Sequence, residues 1–215
     1  MESQVQPDWD RAVNRFLEYV EKECEYEIVD PRPADASSSA PNRPFMPNDR
    51  IQTYFTQQNY QELRNILAAL FPHSDPINPL AILNNHTSIF CTLLSIRKGQ
   101  FIDYFRRYDS LGDSSLPFDP ANPPANLPVA ARDPEFLREF CKAQWKFCAV
   151  TLRHPVADKH FERDRVLPII EKKRLAGGGT ATLWLVKIYP SYNKLISEET
   201  KKVCSCRSLL GWYQH

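Results

Sequence analysis

Up to about Val150 the apolar side chains of this chain recur at a helical period, and beyond Arg153 they do not. That one change of period bounds the folds open to the chain. Trp9, Ala12, Val13, Phe16, Leu17 and Val20 fall at i, i+3, i+4, i+7, i+8 and i+11, a single stripe along a helix expected from Asp8 to about Glu25. Asp8, directly after Pro7, is expected to cap it. A second helical region is expected from about Asp49 to Phe71, with Gln57-Gln58-Asn59 breaking it into two pieces. Leu80 to Leu83 and Thr87 to Arg97 follow, the latter closed by Gly99 just past its end, and Gln100 to Tyr108 continues helically. Asp133-Pro134-Glu135 opens a further helix toward Val150, because proline suits the first turn and aspartate caps free amides. Its stripe is Phe136, Leu137, Phe140 and Cys141. Past Arg153, Val166 to Leu175 and Ala181 to Tyr189 read as two strands joined by Gly177-Gly178-Gly179, an antiparallel hairpin.

The chain has 18 prolines against 6 glycines, and the prolines cluster in two places, which marks linkers and not general disorder. Residues 30–48 and 116–130 are the expected Pro-rich linkers. The expected organisation is a helical module over 1–153, a hairpin over 154–195 and an unrelated tail over 196–215.

Charge is nearly balanced, 27 Lys+Arg against 26 Asp+Glu, which gives no electrostatic reason to expect a nucleic-acid or acidic-membrane partner. No apolar run approaches the ~18 residues of a membrane span. The six cysteines are scattered and no signal peptide precedes them, so the expectation is an intracellular protein, cytoplasmic or nuclear, with reduced thiols. Cys204-Ser205-Cys206 lacks the second ligand pair of a structural zinc site, so no metal ligands are assigned. Lys172-Lys173-Arg174 reads as a solvated strand face, and Glu21, Glu23, Glu25 and Glu27 as a solvated helix end.

The candidate site is the stretch around the glycine run: Leu175, Ala176, Gly177, Gly178, Gly179, Thr180, Ala181 and Leu183. One reading is a flexible hairpin turn, which any Gly-Gly-Gly would make. The other is a phosphate cradle, in which missing side chains let backbone amides approach a nucleotide. In register, Leu175, Gly178, Leu183 and Val186 resemble the glycine-rich loop that opens a protein kinase domain. Ala176 and Ala181 stand where that family has its first and third glycines, and Thr180 where it has an aromatic. The flanking block Arg165 to Glu171, and upstream Leu93 to Ile102, Ser110 to Phe118 and Phe140 to Ala149, resemble a large group of protein-kinase-like proteins from filamentous fungi. The resemblance runs from roughly Trp9 to Leu195.

On that resemblance the fold is mainly α, a helical N-terminal module followed by a β-hairpin like the first two strands of a protein kinase N-lobe. It implies ATP with Mg²⁺ as cofactor and Ser/Thr phosphorylation as the parent activity. Other parts of a working kinase are absent. The nearest imitation of the strand lysine, in Trp184-Leu185-Val186-Lys187, sits too close to the loop, and no His-Arg-Asp, Asp-Phe-Gly or Ala-Pro-Glu follows. No catalytic residue is therefore assigned. The expectation is a truncated kinase-like fragment whose partner is the missing kinase lobe or another protein. The alternative is a non-catalytic helical interaction or regulatory module.

Overall fold

The computed structural model describes residues 6–28, 43–127, 133–153, 164–177, 182–195 and 208–212. The chain divides into two compact units, each assembled from two stretches: 1–24 with 46–148, and 25–45 with 149–215. The first is helical, the second is made of strands, and most of the regular structure is α. This division departs from the expected 1–153, 154–195 and 196–215.

The helical unit begins with α1 (Gln6–Glu23), so Asp8 lies inside the helix and is not its cap. The expected stripe is buried: Ala12, Val13, Phe16 and Val20 are at most 3% exposed, with Trp9 and Leu17 packed beside them. Phe16 stacks on Phe55 of α2 (Asn48–Leu70) at 5.5 Å between ring centroids, and Tyr19 stacks on Tyr54 at 4.4 Å. The edge of this contact is polar. The Tyr19 hydroxyl donates to the Arg50 carbonyl (2.9 Å), and Arg50 Nη1 donates to the Glu23 carbonyl (2.5 Å), which satisfies a C-terminal carbonyl that α1 leaves open.

Within α2 the helix is interrupted where the polar run predicts. Gln57 is extended (φ −55°, ψ 146°), and Gln58, Asn59 and Tyr60 are all left-handed, with φ of 47°, 56° and 64°. A left-handed conformation costs a non-glycine residue roughly 1–2 kcal/mol. The compensation lies in burial on either side. On an uninterrupted helix, the stripe Ile51, Tyr54, Phe55 would sit roughly a third of a turn away from Leu63, Ile66, Leu67. The break lets both stripes face the core, where Leu63 and Ile66 are 0% exposed and Leu67 3%. Burying a large aliphatic side chain contributes about 1.5–3 kcal/mol, so three of them outweigh three left-handed residues, though by only a few kcal/mol.

Two short helices lead to the centre of the unit. In α3 (Pro79–Leu83) the Asn78 side chain accepts from the Leu80 amide (3.0 Å). Every residue of α4 (Thr87–Ser95) from Thr87 to Leu94 is buried, as expected of a helix enclosed on all sides. Thr92 makes its hydroxyl acceptable there by donating to the Ser88 carbonyl (2.8 Å). The unit is completed by α5 (Ile102–Phe105) and α6 (Pro134–Ala143). Asp133 caps α6 as expected, accepting from the Glu135 amide (3.2 Å). An aromatic ladder runs through these elements: Phe101 on Phe136, Phe136 on Phe140, and Phe140 on Phe105 and Phe118, with centroids 4.8–6.0 Å apart. Phe118 and Leu127 are 4% and 1% exposed. The expected linker at 116–130 is therefore anchored to the core at Phe118 and Leu127, while residues 119–123, 125 and 126 between them are exposed.

The end of α4 corrects another expectation. Arg97, not Gly99, takes the left-handed position after the helix (φ 57°). The Lys98 amide reaches the Leu93 carbonyl (2.8 Å) and the Arg97 amide the Leu94 carbonyl (3.0 Å), the paired bonds of a Schellman ending. Gly99 is required for space instead: a Cβ there would lie 2.9 Å from the Trp9 ring and 3.0 Å from Leu94. The Arg97 side chain reaches α1, donating to Asn14 (2.6 Å) and lying 3.4 Å from Asp10, both contacts being exposed. Exposed pairs contribute little, so relief of the left-handed strain should win. Arg97→Gly is expected to stabilise by about 0.5 kcal/mol and Arg97→Val to destabilise by about 2 kcal/mol. Urea midpoints ranking Val above Gly would contradict the assignment.

In the second unit, β1 (Glu25–Glu27) and β2 (Arg43–Phe45) pair antiparallel, with Tyr26 opposite Pro44. The Ile28 amide then donates to the Ile169 carbonyl (3.0 Å) at the start of β4 (Ile169–Gly177). Glu25 and Glu27 thus belong to a strand and not to a solvated helix end, and residues 43–45 are not linker. Glu27 is 4% exposed. Arg43 Nη2 donates to its Oε1 (3.0 Å), and Arg43 Nε lies 2.8 Å from Oε2. Burial raises the Glu27 pKa, while Arg43, the Leu167 amide and Lys172 act the other way. Elsewhere β3 (Leu152–Arg153) pairs parallel with β6 (Asn193–Lys194). Tyr192, 1% exposed, meets the edge of Phe45 at 6.0 Å. The hairpin partner of β4 is β5 (Thr182–Ile188), and β7 (Ser208–Trp212) adds to its far side, so the sheet has the order β4-β5-β7. The expected two-stranded hairpin is therefore three-stranded, and part of the expected unrelated tail supplies the third strand.

Candidate functional site

The hairpin register is set from its base. Ile169 faces Ile188 and Lys172 faces Val186; Val186 and Ile188 are 1% and 4% exposed. On the same face toward the tip come Arg174 and Trp184, and Lys172 Nζ lies 4.4 Å from the Trp184 ring centroid, a cation–π contact. Two register shifts, around Ile170 and Leu175, accommodate one extra residue each. Beyond the second, Ala176 faces Leu183 and Gly177 faces Thr182, leaving residues 178–181 to connect the strands.

The candidate residues are placed as follows. Leu175 sits in the bulge, 46% exposed, and Leu183 is 41% exposed on the opposite strand. Ala176 and Gly177 end β4. Gly178, Gly179, Thr180 and Ala181 lie outside the described residues. Two half-exposed leucines thus flank the base of the glycine-rich connection, where they offer an apolar surface.

The lysine nearest in type to a kinase strand lysine is otherwise engaged. Lys187 lies in β5 directly opposite Glu171 and forms an ion pair with it. Lys194 is an exposed residue of β6. Cys204, Cys206, His154 and His160 lie outside the described residues. Among the described residues no group of three or more His, Cys, Asp and Glu side chains could hold a metal ion, and no helix is long and apolar enough to cross a membrane.

The helical unit holds one cluster that sequence reading missed. The Asp113 carboxylate sits at the start of α4, where Oδ2 accepts from the Ser88 amide (2.9 Å) and Oδ1 from the Ile89 amide (3.0 Å). The Asp113 amide in turn donates to the Asn85 carbonyl (2.6 Å). Gly112 allows this approach, since a Cβ there would fall 2.3–2.5 Å from the Asn85 side chain. His86, 4% exposed, precedes the helix, and neither ring nitrogen has a hydrogen-bond partner among the described residues. Burial pushes the Asp113 pKa up, against the amides and His86, which pull it down. Cys91 is fully buried nearby, and burial followed by the Asp113 charge drives its thiol well above the usual range.

An acid, an imidazole and a thiol together invite a catalytic reading. Burial argues against it, because a fully buried thiol kept protonated is not a nucleophile. Asp113 is a helix cap delivered from 24–25 residues away, a distance at which no local sequence signal exists. A groove of about 320 Å³ between the last turn of α2 and the loop after it is lined by Leu67, Phe71 and Ile77 with Arg64 and Asp75, and lies open to solvent.

Neither protein-family models, curated proteins nor solved structures give a match to this chain.

Proposed function

We propose that the β unit carries a degenerate, kinase-like nucleotide loop and that the chain does not transfer phosphoryl groups by itself. The observation behind this reading is the antiparallel register that puts Gly177 opposite Thr182 and leaves residues 178–181 as the connection, flanked by the half-exposed Leu175 and Leu183. Such a connection can offer backbone amides to phosphates, with the leucines beside a base. Phosphoryl transfer needs more: a lysine on the α/β-phosphates, Mg²⁺ ligands and a residue to position the nucleophile. Lys187 stands too close to the loop to serve as that lysine and pairs at the surface with Glu171, and residues 188–215 contain none of the motifs that supply the others. Activity would require those parts to be supplied from outside residues 1–215.

Calorimetry and a radiolabel transfer assay test this reading. At most weak ATP binding that Mg²⁺ leaves unchanged is expected, with no label transferred. Micromolar, Mg²⁺-dependent binding abolished by Gly178→Val, or transfer surviving rigorous purification, would overturn it. The second reading, a non-catalytic interaction module, draws on the helical unit, whose core is complete while Leu80, Tyr104 and Tyr108 stay 40–46% exposed. Wild-type pull-down of a partner by residues of that unit, unaffected by Gly178→Val, would favour it.

A further inference from the structure

We propose that α2 is a hinged helix: residues Gln57–Tyr60 interconvert between the left-handed turn seen here and an uninterrupted helix, and this turns the Leu63–Leu70 half by about a third of a revolution. Three observations carry the inference. First, three consecutive non-glycine residues are left-handed, whereas such residues ordinarily visit that region singly. Second, the polar run permits the break without forcing it. The run Thr56-Gln57-Gln58-Asn59-Tyr60-Gln61 contains neither glycine nor proline, and Gln57, Gln58 and Asn59 are exposed, so their side chains do not lock the turn through packing. Third, the hydrogen bonds on either side belong to the separate half-helices and survive straightening. The Thr56 hydroxyl donates to the Gln52 carbonyl (2.7 Å), and Gln61 Nε2 donates to Asn65 Oδ1 (2.7 Å).

What holds the broken form is tertiary: burial of Leu63, Ile66 and Leu67, and the Arg15–Glu62 ion pair at 3.3 Å between α1 and the second half of α2. Local preference for helix and global preference for the break therefore oppose each other at one exposed point. That is the condition for two arrangements of similar free energy. Straightening withdraws the second stripe from the core and presents it outward, so the hinge is a device for exposing an apolar face of this unit on demand.

The experiment compares two double substitutions on the full chain. Gln58→Gly with Asn59→Gly favours the left-handed turn and penalises helix; Gln58→Ala with Asn59→Ala does the reverse. Both positions are exposed, so each variant should fold. Spin labels attached by non-cysteine chemistry at Thr53 and Ala68 report the hinge, since an unbroken helix separates these backbones by about 22 Å. The wild-type chain should show this separation as a second population beside that of the broken form. The ratio of the two should differ roughly thirty-fold between the alanine and glycine pairs, from helix propensity at two residues. Enrichment of the unbroken separation in the alanine pair relative to the glycine pair supports the hinge. The same distribution in both pairs overturns it.

Discussion

Gln144→Leu should destabilise the helical unit by roughly 4 kcal/mol. Gln144 is 0% exposed in the turn that follows α6. Its Oε1 accepts from the Phe118 amide (2.7 Å), and its Nε2 donates to the carbonyls of Phe118 (2.8 Å) and Cys141 (3.1 Å). The side-chain amide thus pairs with Phe118 as a neighbouring strand would, and so seats the Pro-rich segment on the core. Leucine matches the volume but leaves the Phe118 amide and carbonyl buried and unsatisfied, at about 1–3 kcal/mol each. Gln144→Glu gives a sharper comparison. A buried carboxylate cannot donate, so the cost at neutral pH should equal or exceed that of leucine. Protonation restores one donor, and the deficit should shrink on acidification. Urea unfolding at two pH values decides both points. A loss below about 1 kcal/mol for Gln144→Leu would mean that Phe118 finds other partners.

Gln144 also illustrates where the sequence stops speaking. The stripes of α1 and α6 were legible because burial at i, i+3, i+4 and i+7 is written into consecutive residues, and Ala12, Phe16, Phe136 and Phe140 are indeed in the core. The cap at Asp133 was legible for the same local reason. The two strands and the glycine run between them were legible, but their register, shifted around Ile170 and Leu175, was not. Long-range pairing is different. That Glu25–Glu27 is a strand depends on Arg43–Phe45, many residues away, and on Arg43 meeting a buried Glu27. Three residues are too few for a period to show. The 116–130 segment misled for a related reason: proline content reports backbone stiffness, not whether Phe118 finds the Phe105–Phe140 stack. Gly99 misled because two demands for glycine look alike in sequence. Arg97 took the left-handed position, and Gly99 was needed for the close approach of Trp9. At the candidate site, the sequence located the loop and its flanking leucines but not the Glu171–Lys187 pair that occupies the nearest lysine.

Asp113→Ala should cost about 3 kcal/mol, because it leaves the Ser88 and Ile89 amides at the start of α4 without the acceptor they share. Its pH dependence runs opposite to that of a salt-bridged surface carboxylate. Burial raises the folded-state pKa of Asp113 above its unfolded value near 3.8, outweighing the amides of Ser88 and Ile89 and the nearby His86. Between those two pKa values the native state holds the proton that the unfolded state has released. Stability contributed by this residue therefore falls as pH rises through that window and is constant above it. The penalty of Asp113→Ala should accordingly be larger below pH 4 than at pH 7. Denaturant titrations of both proteins across this range give the difference directly, with other groups cancelling to first order. A penalty that grows on going from acid to neutral pH would show that the amides, and not burial, govern this carboxylate, and that the cluster at the head of α4 is more open to solvent than its geometry implies.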